Sequence, residues 1–181
     1  MILTGYVRRL AVAITPEQII APDVAALGDP AVLAMQCCAT VDAHLAERTH
    51  EGDILVLPAI TASLHPAAQS HSEHAVFALQ AMGCAAIICG DVPAWWATQA
   101  AELGLPVLVQ ADAVAALHEG AAVRLDLERG TIGLFAEAGP TLATGTVWQA
   151  PALTPAQCAT VRRYQLLVRM RRVADEEDYA G

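Results

Sequence analysis

Three short apolar runs constrain this chain more than any other feature. Residues 54–57, 84–89 and 105–109 are apolar without alternation. Each therefore reads as a strand covered on both faces. Helical stretches with their own start and stop signals separate them. Asp29 and Pro30 open one, as N-cap and first helical residue, that extends to about Glu47. Ser70, with Glu73 three positions later, fits a capping box and opens a second over about 71–82, which Gly83 closes. A third restarts after Gly90-Asp91-Val92-Pro93 and ends at Gly104, and a short one covers 112–118. Residues 6–10 read as a leading strand. Residues 123–128 and 131–135 alternate around Arg129-Gly130, as a hairpin with one solvated face does. Thr154 and Pro155 cap a last helix to about Val173, rich in arginine and followed by the acidic run 175–178. Its arginines read as a solvated face or as partners for that acidic run. Strands alternating with capped helices predict an α/β layer: a mostly parallel sheet, made mixed by the hairpin and flanked by helices. One such domain is expected over 1–150, with a C-terminal helix and acidic tail over 151–181 packed on it or extending from it.

Charge narrows the function. The chain has 181 residues and a formal net charge of −9, which is the wrong sign for a nucleic-acid footprint. All ten of its cationic residues are arginine. The lack of lysine excludes Schiff-base chemistry and a phosphate-loop lysine. No arginine lies between Arg48 and Arg124. No apolar stretch reaches the roughly 18 residues a membrane span requires, and the first residues lack the order of a signal peptide. The five cysteines are odd in number and form no C-x-x-C pair. They read as small buried hydrophobes in a reducing cytoplasm, not as a disulfide framework or a metal site. Cys37 and Cys38 are expected in a helical stretch, and Cys84 and Cys89 in a strand.

The candidate chemistry gathers around residue 70. Ser70 offers a hydroxyl as base or binding group. His71 and His74 stand three apart on one helical turn, with Glu73 between them and His65 in the loop before, a set suited to acid–base work near neutral pH. Two histidines and one acid are too few for a metal site, and none is assigned. Asp91 falls at a strand's carboxyl end, where ligands gather in open α/β sheets. Trp95 and Trp96 face different ways on a helix, so one belongs to the core and the other to a cleft or interface.

The order of these motifs resembles the small subunit of isopropylmalate isomerase (3-isopropylmalate dehydratase), a relative of the aconitase swivel domain. Residues 5–20 align without a gap on the family's G-x-V-x-x-x-G-D-N-I-D-T-D-Q-I-I, keeping Gly5, Val7, Ile14, Gln18, Ile19 and Ile20. Gly52-Asp53-Ile54 and then Ser70-His71-Ser72-Glu73-His74-Ala75 resemble G-D-I-I-V and G-S-S-R-E-H-A. Residues 123–132 resemble V-x-V-D-L-E-x-G-x-I. The likeness covers roughly residues 5–135 and implies the swivel fold.

It also implies a function: one half of a hydro-lyase or isomerase that dehydrates and rehydrates a small hydroxy-carboxylic acid. A large subunit would carry a [4Fe–4S] cluster as Lewis acid, and this chain would bind none. Carried over by position, Ser70 is the catalytic base; His71 and His74 join it as catalytic candidates on their own acid–base chemistry. Ser72, Glu73, His65, Asp91 and Trp95 contact substrate. The departures fall on that motif and on the opening block. Ser72 replaces the arginine that grips a carboxylate, His71 replaces the second serine, and Val12-Ala13-Ile14-Thr15-Pro16-Glu17 replaces D-N-I-D-T-D. Two alternatives stay open on that ground. One is a stand-alone, cofactor-free enzyme or ligand-binding protein, monomeric or homo-oligomeric, for a less charged ligand. The other is a non-catalytic partner subunit.

Overall fold

The computed structural model describes the main chain of residues 1–62, 68–135 and 142–178. Strand β1 (Ile2–Arg9) leads into two single-turn helices, α1 (Pro16–Ile19) and α2 (Pro22–Ala25), then α3 (Pro30–Gln36) and α4 (Leu45–Arg48). Then come β2 (Asp53–Ala59), α5 (Ala68–Met82), β3 (Cys84–Asp91), α6 (Ala94–Glu102), β4 (Val107–Val109) and α7 (Ala111–Ala116). The chain finishes with β5 (Ala122–Asp126), β6 (Thr131–Phe135), β7 (Leu142–Gln149) and α8 (Pro155–Asp178).

The seven strands form one sheet in the order β4-β3-β2-β1-β5-β6-β7. Strands β1 to β4 pair in parallel, with Val7 opposite Ile54 and Val56 opposite Ile88. Strands β1, β5, β6 and β7 pair antiparallel, with Leu3 opposite Leu125. The sheet is thus the mixed one expected, but split evenly instead of mostly parallel. The difference comes from β7, which the sequence reading did not anticipate.

Both faces of the parallel half are covered, which is why its strands do not alternate. Leu55, Leu57, Ile87 and Cys89 pack under α1, α3, α5 and α6. Ile54, Val56, Ile88 and Leu108 face the other way, against α7, the hairpin and Cys158 and Val161 of α8.

The helix expected from Pro30 to Glu47 is interrupted. Cys37 is extended at φ −62°, ψ 121°, and Cys38 takes a left-handed φ of 57°. The main-chain nitrogen of Cys38 donates instead to the carbonyl of Ile19 at 2.7 Å. That bond ties the segment to α1, and the apolar pattern of residues 30–47 gave no hint of it. Asp29 does cap α3, accepting from the nitrogen of Ala31 at 2.9 Å. At the other end, Thr154 and Gln157 form a reciprocal cap on α8. A Cβ on Gly104 would lie 2.6 Å from the Cβ of Tyr164, so α8 docks against bare backbone there.

A buried carboxylate holds the sheet's middle. Asp53, 3% exposed, accepts from Arg8 Nε at 2.6 Å and from the His50 nitrogen at 2.8 Å. Arg9, beside it, donates to the carbonyls of Val114 and Leu117 at the end of α7. Asp53→Ala removes the nearer of the Arg8 guanidinium's two carboxylate partners, and we expect a loss of about 3 kcal/mol in stability, read by chemical denaturation; a change under ~1 kcal/mol would contradict it.

Candidate functional site

The carboxyl ends of β1, β2 and β3 form one edge of the sheet. Ile14, after β1, bridges to Ile60, after β2, and Ile60 donates to the carbonyl of Asp91 at 3.0 Å. Helix α1, the start of α5 and the start of α6 therefore converge on this edge. Such an edge gathers ligands because helices there begin with free N–H groups.

Helix α5 starts earlier than its sequence suggests. It begins at Ala68, so Ser70 is a residue of the first turn and not the N-cap. The capping box expected of Ser70 and Glu73 is not formed in that sense. The Ser70 side chain, like the whole of His65, lies outside the described residues.

The next residues divide by helical phase. Ser72 is 0% exposed and turns into the core beside Ala75, Val76 and Leu79. His71 is half-buried, and its Nε2 lies 2.8 Å from the carbonyl of Ile20. A carbonyl only accepts, so Nε2 carries the proton in this contact. Glu73 is exposed and accepts from Gln99 Nε2 of α6 at 3.2 Å. His74 is exposed, with its ring centroid 6.2 Å from that of His71 and tilted by 38°. The structure thus groups His71, Glu73 and His74 on the first turns of α5 and ties them to α1 and α6. Asp91 ends β3, exposed. The tryptophans split as expected: Trp95 is 39% exposed and Trp96 is 1% exposed. The Trp96 Nε1 is buried with no acceptor among the described residues.

The sequence reading missed how the nearby cations are used. Arg8 binds Asp53 and Glu119, Arg9 binds the end of α7, and Arg48 binds Asp42 at 2.6 Å and Glu119 at 3.4 Å. The Arg48 guanidinium holds the Asp42 carboxyl below its ordinary range. Each of these three arginines is committed within the chain. The signal for this was weak: Asp53 and Glu119 lie 45 and 111 residues from Arg8. A cavity of about 210 Å³ lies elsewhere, at the amino edge of the sheet between Thr4, Gly52, Gln80, Cys84, Tyr164 and Val168.

No group of three or more His, Cys, Asp or Glu side chains among the described residues is placed to hold a metal. All five cysteines are free and buried. Burial pushes the thiols of Cys84 and Cys89 up to about 12. The Cys37 thiol is raised by its hydrogen bond with Cys38 and by burial. These thiols stay protonated, and so unreactive, through neutral and mildly basic pH. Thiol titration with a disulfide reagent at about pH 8 should leave Cys84 and Cys89 unmodified in the folded chain and reach all five in denaturant; rapid native labelling of either strand cysteine would show the burial to be wrong.

No family model matches the chain. It is 29% identical over 132 residues to the 3-isopropylmalate dehydratase small subunit of Endomicrobium trichonymphae, covering 73% of this chain and 78% of that one. It is 33% identical over 104 residues to the subunit of the same name from Caldanaerobacter subterraneus, covering 58% and 62%. It is 31% identical over 104 residues to the 2,3-dimethylmalate dehydratase small subunit of Eubacterium barkeri, covering 58% and 60%. The chain thus spans about three fifths of the length of the latter two. Among solved structures, a 3-isopropylmalate dehydratase from Methanocaldococcus jannaschii superposes with a TM-score of 0.70 at 18% identity, over 95% of this chain and 99% of that one. That likeness shows the fold. No described helix is long and apolar enough to cross a membrane.

Proposed function

The chain is a relative of the 3-isopropylmalate dehydratase small subunits, and from that premise we propose that it is the small subunit of a hydro-lyase. It would dehydrate and rehydrate a small hydroxy-carboxylic acid together with a large subunit. The observation that carries this reading is the placing of Ser70, His71, Glu73 and His74 on the first turns of α5, at the carboxyl edge of the sheet. The [4Fe–4S] cluster of such an enzyme does not fit this chain, whose described side chains form no metal-holding group and whose thiols are buried. It would belong to the large subunit. The five unpaired thiols suit a reducing cytoplasm.

Within this reading the chain's own residues have distinct tasks. Ser70, on the helix's opening turn, takes the proton next to the substrate carboxylate. The positive end of the α5 dipole would favour an anionic group there. His71, anchored through Nε2, fixes the start of α5 against α1. His74 and Asp91 offer exposed polar contacts, and Trp95 an apolar wall. Ser72 is buried, so its task is to seat the helix. The negative charge of such a substrate needs cations that Arg8, Arg9 and Arg48 do not supply, since all three are bound within the chain. Those cations would come from the large subunit. The same observation favours a second reading, in which the chain acts alone on a less charged ligand.

Anaerobic co-purification with the large subunit separates the two. The first reading expects an iron-containing heterocomplex whose turnover falls about 100-fold or more with Ser70→Ala while the complex persists. A complex that turns over normally with Ser70→Ala would make this chain a non-catalytic partner. A chain that captures no iron–sulfur subunit would leave the second reading.

A further inference from the structure

The amino-edge cavity lies at the far end of α5 from Ser70, about 20 Å along the helix. The hydro-lyase reading leaves it unused. Its walls are pinned from three sides. The Gly52 nitrogen donates to the carbonyl of Gly83 at 3.0 Å, which joins the turn before β2 to the end of α5. Gln80 Nε2 donates to the carbonyl of Leu103 at 2.9 Å. Tyr164 packs on the bare backbone of Gly104 and so holds α8 in place. The cavity's 210 Å³ amounts to about seven water volumes of 30 Å³. That is below the ~300 Å³ at which sites for drug-sized ligands begin, so an occupant must be small.

The lining sets the sign of that occupant. Glu51 is the one charged residue among those that line the cavity, and it forms no ion pair among the described residues. Arg124, opposite Thr4 in the register of β1 and β5, is not part of the lining. The terminal amine of Met1, next to Ile2, is paired with Glu128 at 2.9 Å. Gly83 closes α5 at φ 107°, so the cavity lies at the negative end of that helix. Gln80 has given its NH2 to Leu103, and its oxygen accepts from no described residue. A carboxylate, a helix's carbonyl end and an amide oxygen all call for a donor that carries positive charge. Ile2 and Val168 add apolar contact beside them. We propose that this cavity is a binding site for a small organic cation, an ammonium group on a short apolar chain, with the head on Glu51 and Gln80 and the chain against Ile2 and Val168. Its charge is opposite to that of a hydroxy-carboxylate, so this inference does not rest on the proposed reaction.

Amide NMR of the isotope-labelled full chain, without any large subunit, tests this with three probes of one shape: pentylamine, pentanol and pentanoate. Pentylamine should shift the amides of Gly52, Gly83 and Gln165 saturably, with a dissociation constant of about 1 mM or below. Pentanol should bind about tenfold more weakly or worse, and pentanoate should leave those amides in place. Glu51→Gln, at an exposed turn position, should raise the constant for pentylamine about tenfold or more while the rest of the spectrum stays unchanged. Added salt should weaken pentylamine binding to the unaltered chain. Amides that stay unmoved at about 10 mM pentylamine overturn the proposal, as does pentylamine binding that Glu51→Gln does not weaken. Pentanol or pentanoate binding as tightly as pentylamine also overturns it, since the cavity would then be indifferent to charge.

Discussion

The Arg8–Asp53 pair fixes the seam on which the sheet is built. A carboxylate that is almost wholly buried is tolerable only with its charge met. Asp53 meets it with the Arg8 guanidinium from β1 and the His50 amide from the turn before β2. The pair sets where β2 starts against β1, and every later parallel strand takes its register from β2. It also consumes Arg8, just as the end of α7 consumes Arg9 and Asp42 consumes Arg48. Architecture therefore uses all three arginines of the chain's first half, and among the described residues no arginine is left at its carboxyl edge to meet an anion.

This division of labour explains how the candidate site departs from its relatives' motif without disturbing the fold. The scaffold positions are those where backbone geometry decides: Gly5, whose Cβ would collide with the carbonyl of Gly52, and Gly83, at φ 107°. The positions that changed lie in the opening block, at 12–17, and on the first turns of α5. On α5, Ser72 faces inward and His71 bonds a main-chain carbonyl, so both serve packing as readily as chemistry.

Much of the fold was legible in the sequence because its signals are local. Unalternating apolar runs gave the covered strands, Asp29 and Thr154 marked real helix starts, and the alternation at 123–135 marked a real hairpin. What was not legible depends on distant partners. The break at Cys37–Cys38 follows from a bond to Ile19, and β7 follows from a place at the sheet edge beside β6. The start of α5 shifted because Ser70 resembles a cap in isolation. At the candidate site, the gathering of histidines on one turn was readable from spacing alone. Their different roles were not, since the carbonyl of Ile20 that claims His71 lies 51 residues away.

The place of β1 in the sheet has a consequence for how the chain is made. The earliest of these strands to leave the ribosome stands in the middle, flanked by β2 on one side and β5 on the other. Its parallel neighbour follows some 45 residues later, and its antiparallel neighbour only near residue 122. Until then β1 has an unpaired edge and an apolar face, the combination that invites pairing with other chains. Synthesis thus leaves the seam strand exposed longest on its β5 side, until the hairpin closes it.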